Sequence, residues 1–91
     1  MKKHNGIINS ILDLVADTPL LRLNKITKEL DGQFLAKYEA FNPGHSMKDR
    51  IAKHIVDQAE KRGILKKGSK VIETTSGNTG FSIALVCIIK G

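Results

Sequence analysis

Residues 42–49, Asn-Pro-Gly-His-Ser-Met-Lys-Asp, constrain this chain more than any other stretch, because they predict where a long helix starts. Ser46 is a favourable N-cap residue. Asp49, three positions later, gives a capping-box-like start at which negative charge suits the helix dipole. We predict that the helix continues to about Gly63, since glycine is typical of the position just after a helix end.

The helix pattern predicts that Lys48 lies at the centre of the buried face. At about 100° per residue, apolar side chains fall on both sides of Lys48 and charged ones take the opposite face. The apolar set is Ile51, Ala52, Ile55, Val56 and Ala59, and the polar set is Asp49, Arg50, Lys53, His54, Asp57, Glu60 and Lys61. A buried ammonium is costly unless it is paired, neutralised or consumed chemically.

Two interpretations of Lys48 follow from the residues alone. Desolvation favours the neutral, nucleophilic form of an amine, which is how lysines that form Schiff bases are prepared. Alternatively, Lys48 is a first-turn residue whose stem lies on apolar surface while its ammonium reaches water.

A second glycine-containing stretch, Thr75-Ser-Gly-Asn-Thr-Gly80, is predicted to form a strand-to-helix turn. We predict a strand over residues 70–74 and a strongly apolar helix over residues 81–90, buried on most sides. Such a turn presents free backbone N–H groups at the positive end of the helix dipole, and its glycines allow close approach. A carboxylate or phosphate would suit it. The alternative is an ordinary turn capped by its Ser or Thr residues.

The order of predicted elements indicates an α/β fold. Residues 7–15 show helical spacing, strands are predicted over residues 20–23 and 33–39 with a reversal at Asp31-Gly32, and a helix, a strand and a helix follow. This order favours a right-handed βαβ unit in a parallel sheet. Ligands bind at the carboxyl ends of such strands, so the two stretches above would meet at one edge.

Length and charge limit the classes of function. At 91 residues the chain is one small domain or a piece of a larger one, and most of its +6 net charge lies in residues 43–70. Nucleic-acid binding is one interpretation of this charge, but 4% aromatics and no Trp leave few stacking platforms. Anion attraction in a small-molecule site fits as well.

The remaining composition favours a cytoplasmic protein. The single Cys87 excludes an intramolecular disulfide and is expected to be a core thiol. The longest apolar run, residues 83–89, is too short to span a bilayer. We therefore expect neither nucleic acid nor a membrane as a partner, and we predict no metal ligands.

The two stretches together resemble the cysteine synthase and cystathionine β-synthase family of pyridoxal-phosphate-dependent enzymes, the fold-type II or tryptophan-synthase-β-like group. Residues 42–50 and 75–80 are similar to two family motifs at matching separation. Residues 17–23 look like the family's opening segment, and residues 37–39 like its approach to the lysine loop. The resemblance runs from about Ile11 to the end, and it implies part of a three-layer parallel-sheet domain.

Position by position, the resemblance implies that Lys48 forms the internal aldimine with pyridoxal 5′-phosphate and that Asn78 hydrogen-bonds the cofactor's 3′ oxygen. The substrate α-carboxylate would be received by Thr75, Ser76, Gly77, Asn78 and Thr79. The implied reaction is β-replacement on O-acetylserine or serine through an aminoacrylate, to which sulfide or another nucleophile adds. Such an enzyme is a transferase or lyase of cysteine and amino-acid biosynthesis, and the family is usually homodimeric.

Two residues depart from the family pattern: Thr74 stands where proline is usual, and His45 where many members have glycine. In the family, the phosphate loop and the group facing the pyridine nitrogen come much later in the chain. We therefore expect residues 1–91 to be the N-terminal segment of a longer enzyme, without the second domain and phosphate loop, and inactive alone. The opening strand near Leu20 would then pair within the second domain.

The sequence alone leaves three hypotheses open. The first is an enzyme of the cysteine synthase type. The second is another branch on the same scaffold: cystathionine β-synthase, a diaminopropionate-forming synthase or a serine/threonine ammonia-lyase. The third is a truncated, non-catalytic relative that acts as an interaction module. The Thr-Ser-Gly-Asn-Thr-Gly turn favours the β-replacement branches over the ammonia-lyases.

Overall fold

Two short strands and two α-helices form the frame of the protein in a computed structural model, which describes residues 6–91. The elements are β1 (Leu20–Arg22), β2 (Leu35–Lys37), α1 (Lys48–Lys61) and α2 (Asn78–Lys90), with short 3-10 helices at Ile11–Leu14 and Glu39–Phe41. The helix predicted over residues 7–15 is therefore shorter than its apolar spacing suggested. Ser10 starts it by accepting a hydrogen bond on Oγ from the Leu12 N–H at 3.2 Å.

The two strands pair with each other in an antiparallel hairpin. Leu20 lies opposite Lys37, and Arg22 lies opposite Leu35. The expectation that the opening strand finds its partner only in a second domain is therefore wrong. The chain bends between the strands where predicted, at Gly32, whose φ of +110° is a conformation that favours glycine.

The strand predicted over residues 70–74 is not formed, so the described residues contain no parallel βαβ unit. Residues 66–78 are all exposed. A strand forms only where a neighbour satisfies its N–H and C=O groups, and no described segment pairs with residues 70–74. The pattern of side chains predicts a tendency to extend, but it does not supply the partner.

The helices α1 and α2 pack side by side and run in the same direction. Asp49 near the start of α1 hydrogen-bonds Ser82 near the start of α2, and Glu60 near the end of α1 pairs with Lys90 at the end of α2. The helices contact each other through the buried apolar core. Its residues are Leu12, Val15, Ala52, Val56 and Val86. The first turns of both helices therefore lie at the same end of the pair.

The buried face of α1 is rotated from the predicted one. Its buried members are Asp49, Ala52 and Val56. Ile51 and Ile55, predicted to be buried, are 40% and 54% exposed. The centre of the buried face therefore lies about 80° around the helix from Lys48.

The helix α2 is also less enclosed than predicted. Only Ser82 and Val86 are buried, whereas Phe81 and Ile88 are 56% and 78% exposed. Cys87 is half-buried and packs against the apolar core. Within residues 6–91, no helix combines the length and the apolar character needed to cross a membrane.

The end of α1 confirms the predicted glycine stop. Gly63 has a φ of +78° and donates its N–H to the Glu60 carbonyl at 3.0 Å, while Ile64 donates to the Ala59 carbonyl at 2.9 Å. These two bonds form a Schellman motif, in which a left-handed residue satisfies the last carbonyls of a helix.

Candidate active site

The start of α1 forms only half of the predicted capping box. Ser46 Oγ accepts a hydrogen bond from the Lys48 N–H at 3.2 Å, as a capping side chain does, although the helix itself begins at Lys48. Asp49 does not reach back to Ser46. Its carboxylate accepts one hydrogen bond from the Gly44 N–H and another, at 2.6 Å, from the Ser82 hydroxyl.

Asp49 is fully buried, with 0% exposure, although its charge placed it on the predicted polar face. Because both carboxylate oxygens accept hydrogen bonds, its burial leaves no polar atom unsatisfied. A Cβ at Gly44 would lie 2.2 Å from Asp49 Oδ1, so only glycine fits there. Gly44, two residues before Ser46, was therefore the feature of the sequence that could have indicated the burial of Asp49.

Asn42 holds the loop that leads to Lys48. This residue is 1% exposed. Its Oδ1 accepts the Ala16 N–H at 2.8 Å, and its Nδ2 donates to the carbonyls of Ser46 at 2.9 Å and Glu39 at 3.0 Å. Its own carbonyl accepts the His45 N–H at 2.8 Å. One buried amide thus joins the opening segment, the lysine loop and the stretch between them.

A bidentate ion pair supports the same loop from α1. Arg50 Nε and Nη2 donate to the two carboxylate oxygens of Glu39, the second at 2.9 Å. The buried Thr18 hydroxyl donates to Glu39 at 2.5 Å and accepts from Arg50 at 3.0 Å. The hydrogen bonds from Arg50 outweigh the effect of burial and, with those from Thr18 and Asn42, lower the pKa of Glu39 to about 2.

These contacts explain why three separate motifs accompany the lysine. Thr18 comes from the opening segment, Glu39 from the approach to the loop, and Arg50 from the helix after it. Lys37 adds a hydrogen bond to the Thr18 carbonyl. The sequence shows these residues as parts of motifs, but their pairing became visible only in three dimensions.

Lys48 occupies the first position of α1 and is half-buried. The predicted enclosure by hydrocarbon is therefore wrong for residues 6–91. The ammonium nevertheless has no hydrogen bond or ion pair with any residue in that range. An amine that no carboxylate holds is free to react with an aldehyde.

The other predicted site residues lie together at the start of α2. Thr75, Ser76, Gly77 and Asn78 are exposed, and Thr79 is half-buried. Thr75 Oγ1 accepts hydrogen bonds from the N–H groups of Gly77 at 3.2 Å and Gly80 at 3.1 Å, which caps the helix.

Capping by Thr75 leaves part of the helix start open. A Cβ at Gly80 would lie 2.1 Å from Thr75 Cγ2, so the glycine makes room for the folded-back threonine. The N–H groups of Asn78 and Thr79 have no acceptor within residues 6–91. Free N–H groups at the positive end of a helix dipole are suited to bind an anion.

The bond between Asp49 and Ser82 brings the two predicted stretches together. Asp49 follows Lys48 directly and Ser82 lies two residues after Gly80, so this 2.6 Å contact joins the first turns of both helices. The lysine and the Thr75 turn thus share one end of the helix pair, without the parallel strands that were expected to place them there. This end carries the Lys48 amine, the exposed Asn78 amide and helix N–H groups, none of which has a partner within residues 6–91.

Comparison with known proteins places the chain among enzymes. A family model described as pyridoxal-phosphate dependent enzyme matches residues 11–91. The chain belongs to this family. It is 46% identical over 86 residues to cysteine synthase 1 of Emericella nidulans, covering 94% of this chain and 23% of that protein. It is 48% identical over 85 residues to cystathionine β-synthase of Dictyostelium discoideum, covering 93% of this chain and 17% of that protein.

Solved structures show the same relationship in three dimensions. A hydrogen sulfide-producing enzyme from Fusobacterium nucleatum matches with a TM-score of 0.84 and 40% identity over 94% of this chain and 28% of that one. O-ureido-L-serine synthase matches with a TM-score of 0.83 and 41% identity over 93% of this chain and 27% of that one. The predicted fold class is confirmed: the structural neighbours are fold-type II pyridoxal-phosphate enzymes, and the described residues form a small, incomplete α/β part of that fold.

Proposed function

We propose that residues 1–91 supply the lysine and the substrate-carboxylate site of a β-replacement enzyme of the cysteine synthase type, as its N-terminal segment. The observation that supports this most is the Asp49–Ser82 bond, which holds the unpaired Lys48 amine and the open start of α2 at one end of the helix pair. The chain spans less than a quarter of the length of the two curated relatives described above, so the second domain and the phosphate loop are proposed to come from elsewhere in the protein.

The residues present fit the reactive end of pyridoxal 5′-phosphate. Lys48 offers an amine without a protein partner, and Asn78 offers an exposed amide without a side-chain hydrogen bond inside residues 6–91. Lys48 would hold the cofactor through its aldehyde, and Asn78 would donate a hydrogen bond to its 3′ oxygen. When bound, the cofactor supplies an electron sink that stabilises negative charge on the α-carbon of an amino acid.

The start of α2 would bind the amino-acid substrate by its carboxylate. The free N–H groups of Asn78 and Thr79, the hydroxyl of Ser76 and the helix dipole all favour a negative charge there. Within residues 6–91 nothing lies within 4 Å of the place of a Cβ at Gly77, so a ligand can approach the backbone there. Thr75 caps the helix, so its hydroxyl oxygen is already used to hold the turn in shape.

Lys48 would then serve as the general base. Once its Nζ is no longer bound to the cofactor, it can take the α-proton of the bound amino acid. The β-substituent would leave with its bonding electrons, a nucleophile would add at the β-carbon, and Lys48 would return the proton to the α-carbon. We propose O-acetylserine or serine as the amino acid and sulfide as the leading nucleophile, in a cytoplasmic homodimer.

The names of the relatives support β-replacement as the type of reaction, but they do not point to one substrate. They are named as cysteine synthase, cystathionine β-synthase and O-ureido-L-serine synthase, which are enzymes of different specificity. Cystathionine formation from serine is therefore the second candidate.

A paired assay tests the proposal in the purified, cofactor-loaded full-length protein to which residues 1–91 are proposed to belong, because we expect these residues to be inactive alone. We expect cysteine to form from O-acetylserine and sulfide, and we expect Lys48→Arg to reduce the rate about 10²- to 10⁴-fold because the guanidinium cannot act as the base. Lys61→Arg, on the exposed last turn of α1, is the matched control and should leave the rate unchanged. Faster turnover of serine with homocysteine would favour the second candidate, and an equal rate in Lys48→Arg would contradict both.

A further inference from the structure

Asp49 is a buried charged group that joins the two helices on which the proposed site lies. It lies between the two helices with 0% exposure, and Ser82, its partner on α2, is also 0% exposed. Each carboxylate oxygen has a different partner, Oδ1 with the Ser82 hydroxyl and Oδ2 with the Gly44 N–H. Water does not reach this contact, so the charge-assisted hydrogen bonds are strong.

The position of this carboxylate is defined closely on three sides. Gly44 is buried and too near to accept a Cβ, the α1 backbone carries Asp49 itself, and Ser82 closes the side toward α2. The other polar contacts between the helices in residues 6–91, from Lys90 to Asp57 and Glu60, lie at the opposite end. Asp49 is therefore the polar tie at the end where the candidate site lies.

We propose that Asp49 is a positioning residue that sets the separation between Lys48 and the carboxylate-binding turn. One amino-acid substrate must reach both, with its amino group at the place that Lys48 holds and its carboxylate at residues 75–79. A small error in that separation weakens every such interaction, because a misplacement of about 1 Å costs up to about 100-fold in rate. This inference rests on the proposed function, and it adds the residues that hold its two halves in register.

A purely structural role for Asp49 makes a different prediction. If the tie only stabilised the fold, its loss would reduce the folded fraction but would leave the affinity of the folded molecules for an amino acid unchanged. If the tie positions the two halves, its loss weakens amino-acid binding while Lys48 still reacts with the cofactor. The affinity of folded molecules thus separates the two roles.

Protection from borohydride reduction measures that affinity without turnover. Borohydride delivers hydride to the imine carbon between pyridoxal 5′-phosphate and Lys48 Nζ, and the resulting amine is stable to peptide mapping. An added amino acid transfers the cofactor to its own amino group and so protects Lys48. The concentration of alanine, an amino acid with no β-substituent to lose, that halves the labelling of Lys48 is the readout in the cofactor-loaded full-length protein.

Ser82→Ala cuts the tie with the least change to the helix, since alanine favours helices. We expect the half-protecting concentration of alanine to rise about 10-fold, with unchanged labelling in its absence. Ser69→Ala in the exposed loop is the matched control and should behave like the unaltered protein. Equal half-protecting concentrations in both variants would overturn the proposal.

Asp49→Asn provides a second test that does not depend on a cavity or a lost contact. The amide can accept from Gly44 with its oxygen and donate to Ser82 Oγ with its nitrogen, so we expect a change of less than about 3-fold. A 10-fold rise in Asp49→Asn would overturn the positioning role. Absence of label on Lys48 in the unaltered protein would instead overturn the proposed function, and this inference with it.

Discussion

The two halves of the candidate site are built in opposite ways. The lysine loop, residues 42–49, is held by buried polar groups, with Asn42 at 1% exposure and Asp49 at 0%. The turn at residues 75–80 is mostly exposed, and the Thr75 hydroxyl supplies its side-chain hydrogen bonds within residues 6–91.

This difference fits the roles that we propose for the two halves. A reactive lysine needs one fixed position, which second-layer hydrogen bonds around its loop provide. An anion site must keep backbone N–H groups without protein acceptors, so it cannot be fully tied down before the ligand arrives. The lysine loop is held by its own hydrogen bonds, and on the proposed function a ligand would complete the turn.

Adding one methyl group to each half should reveal the largest difference in rigidity between the two halves. Gly44→Ala places a Cβ 2.2 Å from the buried Asp49 Oδ1, and we expect it to lower the free energy of unfolding by about 2–3 kcal/mol. Gly80→Ala places a Cβ 2.1 Å from Thr75 Cγ2, but this exposed side chain can move, so we expect a loss below about 1 kcal/mol. Urea unfolding of both variants measures the difference. Equal losses would show that the two halves are equally rigid.

Acid should weaken the lysine loop before the turn. The pKa of Glu39 is about 2, below its ordinary value of 4.5, chiefly because Arg50 hydrogen-bonds the carboxylate. The stabilisation is therefore complete above pH 4.5 and is lost as the pH falls through about 2. Since the pair is partly exposed, we expect a loss of about 1–2 kcal/mol on this account.

Urea unfolding at pH 6 and pH 3 measures the acid effect. Glu39→Gln should be less stable than the unaltered protein at pH 6 and should lose less stability between the two values. The same slope in both proteins would show that Glu39 is not the titrating group.

The hydrogen bonds of Thr75 at the start of α2 should contribute less to the free energy of unfolding than the Glu39–Arg50 pair. Thr75→Val keeps the shape of the side chain but removes the oxygen that accepts from Gly77 and Gly80, and we expect a loss of about 1 kcal/mol. Thr75→Ser retains that oxygen and serves as the control. Thermal unfolding followed by circular dichroism distinguishes them, and equal midpoints would contradict the capping role.

The smallest expected effect is a gain in stability. His45 has a φ of +65°, a left-handed conformation that costs energy for residues with a Cβ, and its side chain is exposed. This is the physical reason that glycine suits the position, as the family resemblance indicated. We expect His45→Gly to stabilise the protein by about 0.5 kcal/mol, measured by urea unfolding, and a clear loss would show that the imidazole makes a needed contact.

The sequence predicted where the helix and the bend lie better than it predicted which segments pack against each other. Apolar spacing and Gly63 placed α1, and Gly32 placed the bend between the strands, because both depend on local backbone preferences. The predictions of a strand over residues 70–74 and of the buried face of α1 were wrong, because each of these features depends on a packing partner. The partner is a neighbouring strand in the first case and α2 in the second.

The same distinction applies to the site. Lys48 and the residues of the Thr75 turn could be named from two motifs, and their joining at one end of the helices was expected from topology. The polar groups that hold the lysine loop could not be found by a hydrophobic pattern, since such a pattern assigns every charged residue to the surface. Asp49 is the clearest case, because its partners Gly44 and Ser82 carry no charge.

The most direct test of the account is to reduce the cofactor-loaded protein with borohydride and to map the modified peptide. We expect the pyridoxyl group on Lys48, whose amine at the start of α1 has no partner within residues 6–91. A pyridoxyl group on another lysine, such as Lys53 or Lys70, would contradict it.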